Sequence, residues 1–304
     1  MQTRMTGMPS VLTVPGAAIP MFDHGIAYLP GARPSDPGTY LDATSPQSRL
    51  GPLPSMDGRA KALRMDGPAE IVSLPATRPD AHGFRTEWKL TLREDGGGTL
   101  SADEVHRGDR AFWLRTAARE EQARAQYVEE SSLGGYFSQI HADKKVTFDG
   151  DLPNGNARIA YTATADAGGL ARRDEGELIV MTSGNVPFTT QLAPLPRRTL
   201  PVVLPPGMAP SEQTRVFRIT PPSGYEASDL PEGGVEDGGP FGKVETSYKR
   251  EGKSVVVTRR TLFDAHVIPV ADYEKYRAWL LRVDALARKP LRFQPSTRER
   301  GVRF

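Results

Sequence analysis

Between residues 84 and 106 the chain spells out a hairpin. Phe84-Arg-Thr-Glu-Trp-Lys-Leu-Thr-Leu92 alternates apolar with polar side chains, the period of a strand with one buried face. Asp95-Gly96-Gly97-Gly98 supplies a turn, and Thr99 to His106 completes the pair. The same period returns at Thr214 to Thr220 and Gly242 to Arg250, and the β-branched run Ser254 to Leu262 answers the latter across Glu251-Gly252. Shorter strand-like runs lie at 61–65, 70–74, 145–148, 157–165 and 177–181. With 27 Pro and 30 Gly in 304 residues, such runs are expected to be joined by many turns and loops. Leu192 to Met208, interrupted by five prolines, reads as an edge or crossing segment.

Two stretches depart from this period. From Asp109 to about residue 137 the chain is rich in Ala, Arg, Glu and Gln, with Ala111, Leu114, Ala118, Ala125 and Val128 spaced along a helix face. Gly134-Gly135 then argues for a helix end. Tyr273 to Ala287 carries Tyr273, Tyr276, Leu280, Val283 and Ala287 on one stripe, with Asp272 as N-cap and Pro290 as a stop. The expected class is mainly β (α+β), with helical segments at about 109–137 and 273–287. Trp113 and Trp279 fall inside these helices, where packing is the commoner use of an indole.

Ahead of all this, Met21 to Thr44 holds one histidine and one aspartate that a hairpin would bring face to face. Pro30 to Gly38 is too rich in Pro and Gly to be anything but a loop. Antiparallel pairing about Arg33 sets Tyr28 against Gly38, Ile26 against Tyr40 and His24 against Asp42. Directly opposed side chains lie with Cβ atoms roughly 4.5–5.5 Å apart, which suits an imidazole–carboxylate hydrogen bond. Such a bond is the orienting half of a nucleophile–His–Asp triad. A loop histidine and a turn aspartate would leave the same trace in sequence.

The flanking residues add a resemblance. Phe22-Asp23-His24-Gly25-Ile26-Ala27-Tyr28, Tyr40-Leu41-Asp42-Ala43-Thr44 and Leu50-Gly51-Pro52-Leu53-Pro54 before Gly58 to Leu63 resemble the C-terminal part of the transglutaminase-like branch of the papain-type superfamily. In that family the order is Cys, His, Asp, with the last two on neighbouring strands. By that likeness His24 matches the general base and Asp42 its orienting partner. Arg107 to Arg115 and Tyr273 to Trp279 look like the β-rich module that follows the catalytic domain in certain bacterial multidomain proteins. The resemblance thus implies an N-terminal remnant of a transglutaminase-like antiparallel sheet over 1–75, a β-sandwich-like module over 76–295, and a basic tail over 296–304. It implies thiol-dependent acyl transfer or amide hydrolysis on a protein or peptide substrate. The chain has 0 Cys, so the nucleophile is absent and is expected upstream of Met1 or on another chain. Residues 1–304 alone are then expected to be inactive. The alternative is a non-catalytic β-sandwich module that binds protein or glycan.

Charge narrows the partners. Lys+Arg 39 against Asp+Glu 37 gives +2, so no general basic field draws nucleic acid. No apolar run reaches the ~18 residues of a membrane-spanning helix. The first residues, Met1 to Gly7, lack the apolar core of a signal peptide. The compartment is left open, and the resemblance allows an extracytoplasmic site for an intact protein. His82, His106, His141 and His266 show no metal-ligand spacing, so neither metal nor cofactor is expected.

Overall fold

Alternation at 84–92 becomes a ten-residue strand whose even positions, Phe84 through Leu92, are buried. The computed structural model describes residues 24–33, 38–65, 68, 70–205 and 207–296. In chain order, β1 (Ala27–Leu29) pairs with β2 (Thr39–Leu41), and β3 (Lys61–Arg64) with β4 (Glu70–Ser73), each as a separate antiparallel ribbon. β5 (Gly83–Leu92) and β6 (Gly98–Arg107) form the expected hairpin and lead into α1 (Asp109–Ala117) and α2 (Glu121–Tyr127). β7 (Ile140–Ala142), β8 (Thr147–Leu152) and β9 (Asn156–Ala165) follow, then β10 (Arg172–Asp174), β11 (Glu177–Val180) and α3 (Phe188–Leu192). The last third contains β12 (Val202–Val203), β13 (Ser211–Thr220), β14 (Tyr225–Ala227), β15 (Gly234–Asp237), β16 (Gly242–Glu251), β17 (Ser254–Phe263) and β18 (Val267–Ile268). It ends with α4 (Tyr273–Ala287) and β19 (Leu291–Pro295).

The expected class holds: the fold is mainly β, α+β, built on antiparallel sheets. One large sheet runs β15-β16-β17-β13-β5-β6-β9-β7, with β8 also on β9, and a smaller one runs β10-β11-β19-β14. Within the large sheet only β5 and β13 run parallel, setting Trp88 beside Phe217. The small sheet lays Leu178, Val180, Leu291 and Phe293 over the inner face of the large one, where Trp88, Leu90, Leu100, Ile159 and Phe217 meet Ala111 and Leu114 of α1. Each such fully buried large side chain stabilises by roughly 1.5–3 kcal/mol, so this core dominates the fold. A second core gathers around α4, whose Tyr276, Trp279, Leu280 and Val283 pack on Phe241, Val244 and Phe263.

The structure changes several expectations in detail. The helix of 109–137 is not continuous: α1 and α2 are separated at 118–120, and a π-helical turn at Val128–Leu133 closes the run. Ala118 still buries completely, so the apolar stripe is kept while the backbone bends around it. Asp272 occupies the N-cap of α4 without a side-chain cap bond. Arg292 lies in β19, where Leu291 and Phe293 either side of it bury. Arg298, Arg300 and Arg303 lie outside the described residues, as do 1–23. No helix among the described residues is long and apolar enough to cross a membrane.

Candidate functional site

The ribbon of β1 and β2 pairs Tyr28 with Tyr40 and Ala27 with Leu41, a register two residues away from the symmetric one expected about Arg33. Direct apposition of two aromatic rings explains the choice: their centroids lie 4.8 Å apart. Extended one step, this register sets Asp42 level with Ile26, so His24 sits diagonally from it. A shift of two keeps both side chains on one face, since strand side chains alternate with period two. His24 Nε2 and Asp42 Oδ2 are 3.1 Å apart, and both side chains are largely shielded from solvent, at 10% and 4% exposure.

Thr44 completes the local geometry. Its N–H and its hydroxyl both donate to Asp42 Oδ1, at 3.0 and 2.6 Å, leaving Oδ2 directed at the imidazole. Burial alone would raise the Asp42 carboxyl. The two Thr44 donors and the His24 ring outweigh it and hold the group below its ordinary value. A side chain that sequence reasoning passed over joins the pair. Asp57, fully buried in the short 3-10 turn Ser55–Asp57, brings a carboxylate oxygen within 4.8 Å of ligand atoms of both His24 and Asp42. Ser-Met-Asp-Gly carries no periodicity or motif that would have marked it.

The segment from Asp42 to Ala60 is fastened to the main body at three points. Ser55 donates its N–H to both oxygens of buried Asp109, at 3.1 Å each, and its hydroxyl to Oδ2. Arg115 of α1 donates to the carbonyls of Gln47 and Gly155, and Arg49 pairs with Asp151 at 2.7 Å. Burial pushes the Asp109 carboxyl up, but His82 and the Ser55 donors prevail and keep it below the usual range. Gly108, immediately before α1, holds φ at 52° with the His82 ring against it, so no side chain fits there.

Beside Asp42 opens a cavity of about 480 Å³, walled by Thr44, Leu50, Pro52, Met56, Phe112 and Trp113. Trp113 was expected to pack inside a helix; it is instead 54% exposed, while Trp88 and Trp279 are buried. Ala111, Leu114 and Ala118 take the buried stripe of α1, which leaves position 113 on the rim. The other histidines are dispersed. His82 is sealed against Asp109, and His106 bonds Glu104 at 3.1 Å. Among the described residues, only His24 of the five belongs to a group of three potential ligands.

With this geometry in hand, comparison with known proteins gives two matches. The model of a domain of unknown function with a solved structure, DUF3858, matches residues 178–293, which run from β11 to β19 and exclude the His24–Asp42 ribbon. A crystal structure from Parabacteroides distasonis, of a protein described as a "putative protease", is similar at 13% identity and a TM-score of 0.38. That similarity covers 84% of this chain and 33% of the other, so the chain spans about a third of that neighbour's length. No curated protein matches the chain.

Proposed function

We propose that His24 and Asp42 are the general base and orienting acid of a thiol acyl-transfer centre whose cysteine comes from a segment or chain other than residues 1–304. The observation that supports this is the 3.1 Å contact from Nε2 to a carboxylate already fixed by Thr44. With Nε2 directed at Asp42, the proton would be exchanged at Nδ1, on the far side of the ring. There the imidazole would take the thiol proton as sulfur attacks an amide carbon, then pass it to the departing amine. Water or a second amine would release the acyl group from sulfur, giving hydrolysis or cross-linking. Asp42, held below the ordinary carboxylate value, stays ionised at neutral pH and steadies the imidazolium. The adjoining cavity, with Leu50, Met56 and Trp113 in its walls, suits an apolar side chain of a peptide substrate.

The test combines the chain with a cysteine-bearing segment encoded upstream and follows amide cleavage on a peptide library. The reading expects turnover that falls by at least about a hundredfold in His24→Ala with the fold unchanged. Turnover by residues 1–304 alone, or undiminished turnover by the combination carrying His24→Ala, contradicts it. The proximity of Asp57 favours a second reading, in which His24, Asp42 and Asp57 hold a divalent cation. Loss of activity on chelation, restored by added metal, would decide for that reading.

A further inference from the structure

Arg215 of β13 and Arg259 of β17 stand directly opposite each other in the antiparallel register. Like charges so placed repel, and sheets ordinarily avoid the arrangement. Neither is neutralised: among the described residues no carboxylate forms an ion pair with Arg215, Arg259 or the nearby Arg110 of α1. Their partners are neutral. Arg259, only 3% exposed, donates to the carbonyls of Thr182 and Ala287 at 2.8 and 3.0 Å. Arg215 reaches Gln213 Oε1 at 3.3 Å and lies over the Phe84 and Tyr136 rings, and Arg110 donates to the Gly207 carbonyl at 3.0 Å.

The acids on this side of the sheet are already engaged. Asp284 accepts from the N–H groups of Phe188 and Thr189 at 2.7 and 3.0 Å. Glu104, two strands along from Arg215 in the same cross-sheet row, is held by Tyr161 and His106. Burial first, and the Arg215 charge as well, hold the Arg110 and Arg259 guanidinium groups below their ordinary value. Three crowded cations are thus met by carbonyls, an amide oxygen and aromatic rings, with no ion-paired carboxylate among the described residues.

They meet at a cavity of about 220 Å³ between α1, β13, β17 and the segment leading into α3. Val186, Phe188 and Met208 give it an apolar side, and Tyr136 an aromatic one. We infer that this cavity is a binding site for a carboxylate, carried by a small organic acid or by the end of a peptide. A planar two-oxygen anion matches the guanidinium fork, and the apolar side accommodates the carbon atoms attached to it. This site is separate from the His24–Asp42 ribbon and does not depend on its chemistry.

Calorimetric titration of the full chain with succinate, with acetyl-alanyl-alanine as free acid and as amide, and with inorganic phosphate, at matched ionic strength, tests the inference. Saturable binding of a carboxylate is expected, weakened about tenfold or more in Arg215→Gln. Preference for succinate identifies a small acid; preference for the peptide acid over its amide identifies a chain end. Arg110→Gln is the second variant, should Arg215→Gln fail to fold, and the same weakening is expected of it. Binding of phosphate alone, binding of neither carboxylate, or equal affinity in wild type and folded variant overturns the assignment.

Discussion

Ser55 gives a buried carboxylate two kinds of donor, its N–H and its hydroxyl, and so couples a loop beside His24 and Asp42 to the first residue of α1. Removing the hydroxyl leaves Asp109 short of a donor where water does not reach. Ser55→Ala is therefore expected to cost about 1–3 kcal/mol in urea unfolding; a change below about 0.5 kcal/mol would mean that the contact is not maintained in solution. Asp109 and Asp42 also set an acid limit. Both carboxyls titrate below their unfolded value, so the stability they contribute is full above about pH 4 and is lost as pH falls through the folded pKa. The denaturation midpoint is expected to fall below about pH 4 in the wild type, and to fall less steeply in Asp109→Asn. An identical acid profile in the two proteins would remove Asp109 from this role. The residue scale is also where sequence says least. A Pro- and Gly-rich loop made the partnership of His24 and Asp42 legible, but Ser55 with Asp109, and Asp57 with His24, meet across loops whose spacing has no period to read.

Among the elements, long alternating runs were legible because burial on one face enforces the period directly: β5, β6 and β9 follow it throughout and β16 through its first half, while β13 and β17 interrupt it at Val216-Phe217 and Val255 to Val257. What escaped are the short strands whose pairing is decided by distant neighbours. β19 escapes notice until Leu291 and Phe293 are seen to fit between β11 and β14. The break between α1 and α2 escaped for a related reason, since Ala118 keeps its place on the stripe whether or not the helix is continuous. The ribbons differ in kind from the large sheet. Neither β1 nor β2 has a fully buried side chain, and β3 with β4 buries only Ala62. Two-stranded ribbons are marginal by themselves. Amide exchange at 27–29, 39–41 and 61–64 is expected to be faster by orders of magnitude than at 86–90, 214–218 and 255–260. Equal protection would show that another part of the chain covers the ribbons.

For the molecule as a whole, the parallel pairing of β5 with β13 closes one sheet across more than a hundred residues of intervening chain. The small sheet and α4 then seal its inner face. The boundary that we propose between folding units, after residue 75, is crossed by the Ser55–Asp109, Gln47–Arg115 and Arg49–Asp151 contacts, so the segment between the two ribbons is docked on α1 and β8. On this frame the proposed function rests on one relation, a carboxylate that holds an imidazole by its Nε2 atom. Long-range ¹H–¹⁵N correlation of the His24 ring in the intact chain measures that relation without any nucleophile present. A neutral ring protonated at Nε2 is expected, with that preference lost in Asp42→Ala. A ring protonated at Nδ1, or one indifferent to Asp42→Ala, would contradict it.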